Sequence, residues 1–461
     1  MELIFASASE QARAIREKHI SSEELVQACL ERVAEVNPKL NAVVQLPTQA
    51  ALVQAREADR ALAKGEIKGP LHGVPFTLKD AIETEGVICT GGTQGRASYV
   101  PREDATVVKR LRAAGGILLG KTNCPELGFA WESDNLIYGR TSNPYDLSLS
   151  PGGSSGGESA IIAAGGSPFG LGSDAGGSVR FPAHCTGITA IKPTSGRVPR
   201  TGHFQGPGGL LDAVWQIGPL ARFVEDLTTV LPIIAGVDWR DPSIVPMPLR
   251  DAAKVDFKAL RVAFHTDNGV EAPTRETVET VMKAAKVLEA SVSAIEEARP
   301  PGIEQTYEIF FGLLTADGGL GLNGLLELAG TKKVHPLMQR VLELQRSHGK
   351  SMAEFCALIG RWDAFRRSLL SFMERFDFIV CPVCPFPGMT HGSSYDRLPA
   401  FSYTMTYNLT GWPAAVVRAG TSCEGLPIGV QIAAPPWRED VVLAVAAKIE
   451  GALGGYRRSA L

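Results

Sequence analysis

The sequence predicts an α/β protein: a single large domain with a mixed β-sheet core covered by helices on both faces. Three observations carry that expectation. Helix-like and strand-like segments alternate along the whole chain. The 49 glycines and 30 prolines among 461 residues supply more turns than a helical bundle needs. A chain of this length buries a sizeable core unaided, and no fixed-period repeat, Pro- or Ser-rich linker or charged tail divides it.

Taken in order, Ser21 and Glu24 form a capping box that opens a helix with Val26, Cys29, Leu30 and Val33 on one face. A second, polar helix follows at 49–64. Residues 73–79, GVPFTLK, form a short apolar run ending on a lysine, as expected of a buried strand that delivers Lys79 at its tip. Asp104 is placed to cap a helix with Val107, Val108 and Leu111 inward and Gly115 as its stop, and the next strand falls at 116–119. The alternation continues at 260–264, 273–290, 376–380 and 427–432. The expected parts are N-terminal helices (1–65), a catalytic core (66–300), a helical stretch (301–360) and the C-terminal part of the core (361–461). In 301–360, Phe310, Phe311, Leu313, Leu314, Leu320, Leu322, Leu325 and Leu326 alternate with glycines. That stretch reads either as a helical layer inserted on the core or as an adaptable cover over an apolar substrate.

Composition narrows the function. With 46 Lys and Arg against 49 Asp and Glu the net charge is −3, so no strong field exists to recruit nucleic acid or an anionic membrane. No apolar run approaches the roughly 20 residues of a membrane span, and residues 1–10 lack the basic start of a signal peptide. The eight scattered cysteines read as reduced thiols in a cytoplasm. Cys381 and Cys384 form a C-x-x-C pair with no second pair or His cluster nearby to complete a zinc site, so neither metal nor cofactor is expected. The expected partner is a small molecule, with a second copy in a homodimer as the one macromolecular partner admitted.

The chemistry concentrates in 151–182, PGGSSGGESAIIAAGGSPFGLGSDAGGSVRFP, where ten of 32 residues are glycine. Glycines form tight turns around one helix at 158–164 on the plainest reading. Here, however, two GG pairs each abut a serine, and glycines beside a nucleophile leave backbone N–H groups free to face an oxyanion. Gly152, Ser154 and Gly156 also satisfy G-x-S-x-G, but LSLSP is a poor strand and no later histidine is marked as a base. Gly170, Gly172 and Ala175 hint at a dinucleotide loop without the acidic residue that should follow.

GGSSGG at 152–157, GSDAGGSVRFPA at 172–183 and VPFTLKD at 74–80 resemble the three defining blocks of the amidase-signature family, and the likeness runs on to GLPIGVQI at 425–432. SYTMTYNLTGWPAAVV at 402–417 and PPWRED at 435–440 are more similar to fatty acid amide hydrolase relatives than to the glutaminase component of glutamyl-tRNA amidotransferase. The resemblance implies cleavage of carboxamide C–N bonds with Ser178 as nucleophile, Ser154, held by a cis peptide, as bridging serine, and Lys79 as base. It also implies an oxyanion hole from the N–H groups of Ala175, Gly176, Gly177 and Ser178, with Ser155, Asp174 and Arg180 in supporting positions.

These residue types suit the reaction. An ordinary lysine, with a pKa of about 10.4, is neutral about once in 2500 at pH 7, so burial must lower it; a shift to about 8 corresponds to roughly 3.3 kcal/mol. Asp80 would oppose that shift unless strand alternation turns it to the other side. Neutral Lys79 then takes a proton from Ser154, which takes one from Ser178, and the reverse transfer protonates the leaving nitrogen. Histidines 72, 184 and 203 lie near these blocks, but a lysine–serine relay needs no imidazole and none is assigned a role. Loop 201–210, TGHFQGPGGL, is either a surface excursion or a mobile lid with Phe204 and Gln205 as substrate contacts. The expected function is a stand-alone amidase for apolar acyl or aryl amides, extending to carbamates and esters. The alternatives are the glutaminase component of a tRNA-dependent amidotransferase and an inactive binding protein, the latter opposed by the intact Lys79, Ser154 and Ser178 set.

Overall fold

The computed structural model describes every residue except Met1, Pro207, Gly208 and Leu210. Eleven strands make one mixed sheet. Its spatial order is Val43–Gln45, Ile117–Thr122, Pro75–Lys79, Phe169–Asp174, Gln216–Ala221, Thr189–Lys192, Ala414–Thr421, Pro427–Ala433, Phe378–Pro382, Arg261–Phe264 and Ala294–Glu297. Pro75–Lys79 runs parallel to both its neighbours, whereas the middle of the sheet is antiparallel. Helices flank the sheet, including Val224–Ile234, Arg275–Glu289 and Glu439–Leu453, and one continuous apolar core joins the N-terminal helices to the last one. The architecture is the single-domain α/β arrangement expected.

Local chemistry explains most boundaries. Ser21 Oγ accepts the Glu24 N–H and the Glu24 carboxylate accepts the Ser21 N–H, which starts helix Ser22–Leu40. Pro75–Lys79 is buried at every position, as a strand between two parallel partners must be. Gly115 ends helix Thr106–Ala113 with φ +94°, where a Cβ would stand 2.6 Å from the His72 Cα. Two expectations differ. The Asp104 side chain does not cap that helix: Oδ1 accepts the Glu85 N–H and Oδ2 pairs with Arg112 at 3.2 Å, so a long-range contact displaces the local one. The limit at residue 360 falls inside helix Met352–Phe372, so the helical stretch continues past it.

That stretch comprises helices Thr306–Thr315, Leu320–Ala329, Pro336–Ser347 and Met352–Phe372. It is fastened to the sheet domain at several points. Glu126 Oε2 accepts the His335 N–H at 2.8 Å, Thr93 and Thr331 share a hydrogen bond, and Trp362 Nε1 donates to the Leu409 carbonyl. Among the described residues no single helix is long and apolar enough to cross a membrane.

One buried acid ties three segments together. Glu158, on helix Gly156–Ala163, accepts hydrogen bonds from Thr77 and Thr122 on neighbouring strands. Burial pushes its carboxyl up to about 8, against the two hydroxyls and the Lys121 charge. The folded chain therefore keeps a proton that the unfolded chain releases near about pH 4.3. The associated stability is complete below that value and is lost as pH rises through about 8. Glu158→Gln, which keeps the volume and a hydrogen-bonding amide, is expected to flatten this dependence. Wild type should lose a few kcal/mol more than the variant between pH 5 and 8 in urea unfolding; parallel losses would exclude Glu158 as the source.

Candidate active site

Lys79 closes its strand beside the end of Phe169–Asp174, with which Leu78 is in register opposite Leu171. Its amine is buried and donates to Ser154 Oγ at 2.5 Å and Ser173 Oγ at 3.1 Å. Both partners are neutral hydroxyls. Burial lowers the lysine to about 8, opposed weakly by Cys124 and Asp174. Asp80 faces elsewhere: Oδ2 accepts from the Thr90 N–H and hydroxyl, and burial raises its carboxyl to about 6 against the nearby Lys121. Strand alternation keeps the adjacent acid off the lysine, as expected.

Ser154 follows the cis Gly153–Ser154 peptide. Ser155 links this segment to the next, its N–H donating to the Ser178 carbonyl at 3.1 Å and its hydroxyl to the Ser173 carbonyl at 3.4 Å. Ser178 ends the turn Asp174-Ala175-Gly176-Gly177-Ser178, which leads into helix Arg180–Thr186. Gly177 has φ +107° and Thr404 occupies the space a Cβ would need, so only glycine serves there.

Asp174 and Arg180 hold this turn from inside, both side chains being inaccessible to solvent. Arg180 donates to both Asp174 oxygens at 2.9 Å and also to Asn408, Gln431 and the Thr404 carbonyl. Burial pushes Asp174 upward, but the Arg180 guanidinium, with Asn408 and Lys192, more than compensates and holds it below the usual carboxylate range. Asp174 Oδ1 also accepts the Gly177 N–H at 2.8 Å. That bond corrects the expected oxyanion set: Gly177 is already engaged, whereas the N–H groups of Ala175, Gly176 and Ser178 have no hydrogen-bond acceptor among the described residues.

Lys79, Ser154 and Ser178 share one cavity of about 420 Å³. Its far wall is apolar and comes largely from the helical stretch: Phe310, Leu313, Leu314, Leu322, Leu325, Val341 and Leu344. Trp131 adds a ring stacked on Phe401 at 4.6 Å, and its Nε1 donates to the Gly176 carbonyl. The helical stretch thus covers the site, which favours the second of its two sequence readings.

Phe204 and Gln205 line the cavity, and Gln205 Nε2 donates to the Leu127 carbonyl at 3.2 Å. The lid expected of loop 201–210 rests partly on Pro207, Gly208 and Leu210, outside the described residues. Two groups escape the sequence reading. Ser173 bonds the lysine directly, and His203, expected to have no role, stands 3.1 Å from Ser173 Oγ through Nε2. His72 and His184 bond backbone groups away from the cavity.

Comparison with known proteins agrees with this geometry. A family model described as Amidase matches residues 24–443. An acylamidase of Rhodococcus erythropolis is 35% identical over 471 residues, covering 97% of this chain and 95% of that protein. The glutaminase-type component of the glutamyl-tRNA(Gln) amidotransferase of Chloroflexus aggregans is 34% identical over 479 residues, with 96% of each covered. The solved structure of 6-aminohexanoate cyclic dimer hydrolase complexed with substrate superposes with a TM-score of 0.87 at 29% identity, covering 99% of both chains. The three motif blocks, the flanked mixed sheet and the full-length matches agree: the chain belongs to the amidase-signature family and is a hydrolase of amide C–N bonds.

Proposed function

We propose that the protein is a stand-alone amidase for apolar acyl or aryl amides, also turning over small carbamates and esters, through an acyl-enzyme on Ser178. The observation that carries this reading is a buried lysine, lowered to about 8, hydrogen-bonded to Ser154 inside an apolar cavity. At pH 7 about one such lysine in ten is neutral, against about one in 2500 for an exposed one. Neutral Lys79 takes the Ser154 proton while Ser154 takes that of Ser178, and Ser178 Oγ attacks the carbonyl. The oxyanion develops against the N–H groups of Ala175, Gly176 and Ser178. On collapse Ser154 passes a proton to the nitrogen, which leaves as a neutral amine, and water admitted by the same relay hydrolyses the ester. All eight cysteines are free thiols, which supports a reducing cytoplasmic setting, as a monomer or homodimer.

The similarity to a glutamyl-tRNA(Gln) amidotransferase component keeps a glutaminase reading in view, but the cavity wall argues against it. Apolar walls reward apolar groups at about 0.8 kcal/mol per buried methylene, and free glutamine would bury charged ends without partners. An aryl or medium-chain acyl anilide should therefore exceed free glutamine in kcat/KM by about two orders of magnitude or more on the isolated chain. Preference for glutamine, or activity only with an added partner protein, would transfer the assignment to the amidotransferase class.

Two further outcomes test the chemistry. A fluorophosphonate should label the peptide containing Ser178, and Ser178→Ala should remove both labelling and turnover; labelling at Ser154 would reverse the two serines' roles. The rate should rise with pH through about 8, because only the neutral form of Lys79 accepts a proton. A flat profile from pH 6 to 9 would exclude a lysine base.

A further inference from the structure

A neutral amine carries one lone pair and two hydrogens, and it works as a base only when the lone pair points at the donor. Burial alone does not set that direction. Lys79 Nζ has two described partners, Ser154 and Ser173, so whatever fixes the Ser173 hydroxyl also fixes the rotation of the amine.

His203 is built to do this. Its ring is packed against Phe204 and Trp215, with centroids 4.9 and 4.8 Å away, and its backbone bridges to Ile82 near the end of the lysine's strand. The Gln205 N–H is directed at Nδ1, at 3.4 Å, which makes Nδ1 the acceptor and leaves the proton on Nε2. Nε2–H then donates to Ser173 Oγ at 3.1 Å. With Lys79 donating from the other side, both acceptor positions of the serine are filled, and its own hydrogen is turned away from the lysine. The charges facing the imidazole, Lys79, Lys121, Arg200 and Arg96, are all cationic and add to its burial in keeping it neutral.

We propose that His203 is a positioning residue for the base: by holding the Ser173 hydroxyl it directs the lone pair of Lys79 toward Ser154. The inference rests on the reading of Lys79 as the base. Without the ring, Ser173 is free to turn its hydrogen onto Nζ and compete with Ser154 for the lone pair. A bond donated to the neutral amine stabilises that form, so the lysine's pKa falls while its usefulness falls too. Loss of packing alone does the opposite. It admits water, relieves the desolvation that lowers Lys79, and moves its pKa up against the fixed influence of Cys124 and Asp174.

The test uses the full-length protein with an anilide substrate and the variants His203→Leu, His203→Gln, Ser173→Ala and the Leu/Ala double. His203→Leu is expected to lower kcat by about ten- to a hundred-fold with KM within about two-fold, as for a misdirected reacting group, and to shift the pH–kcat midpoint below that of wild type. His203→Gln, whose amide N–H can donate to Ser173, should recover most of the rate. The double variant should be no more than about two-fold below the worse single variant, because the histidine acts through the serine. A midpoint that rises, multiplicative losses, or a glutamine variant as impaired as the leucine one would overturn the proposal. Lys79→Ala separates the two readings. If it is inactive while the His203 variants match wild type, only the positioning role falls; if it retains wild-type turnover, the base itself has been misassigned.

Discussion

A lysine amine enclosed at the tip of a strand, with hydroxyls as its described hydrogen-bond partners, is the constraint around which the rest of the site is arranged. Any carboxylate left free beside it would hold the proton on nitrogen and silence it. The two nearest acids are accordingly engaged elsewhere. Asp80 points to the opposite side of the strand, toward Thr90 and Lys121, and Asp174 is matched by Arg180. The buried Asp174–Arg180 pair thus does two things at once: it shapes the turn that carries Ser178, and it takes up a negative charge that would otherwise act on Lys79.

Chemistry and selectivity come from different parts of the chain. Lys79, Ser154, Ser173, Asp174 and Ser178 lie on or between strands of the sheet, whereas the apolar wall opposite them is made largely by helices Thr306–Thr315, Leu320–Ala329 and Pro336–Ser347. The wall meets the core through a few discrete hydrogen bonds, such as Glu126 to His335 and Thr306 to Thr406, and through aromatic packing around Trp131. Side chains on the wall can change size without disturbing the lysine's surroundings. A fixed sheet with an exchangeable wall is a physical route by which one fold serves amides of different shape.

Much of this is legible in the sequence because it is local. The Ser21–Glu24 box, the apolar run ending at Lys79 and the glycine-flanked serines each declare themselves within a few residues. Phe204 and Gln205 are legible for the same reason, following closely on the nucleophile block. What is not legible depends on groups brought together from afar. Asp104 looks like a cap until Glu85 and Arg112 arrive beside it. The Gly177 N–H looks free until Asp174 folds back onto it. His203 acquires a role only because its loop passes the end of a strand that finished 124 positions earlier, a proximity that no pattern in 201–210 encodes. The limit at 360 fails differently: helix Met352–Phe372 keeps its amphipathic face through that point, so nothing in the pattern marks a break.

The partners of Arg180 have a consequence for how activity arises as the chain folds. The guanidinium that secures the nucleophile turn is itself held by Asn408, the Thr404 carbonyl and Gln431, the last on a strand 251 positions downstream. Until strand Pro427–Ala433 has docked, Arg180 lacks part of its shell and the turn carrying Ser178 lacks its internal brace. A nascent chain with every reactive side chain already synthesised is therefore still inert, and nucleophilic power appears only with the closing steps of sheet assembly. Turnover in this fold reports completion of the whole sheet rather than of the segment that carries the chemistry, and a half-folded intermediate exposes no activated serine to acylate its surroundings.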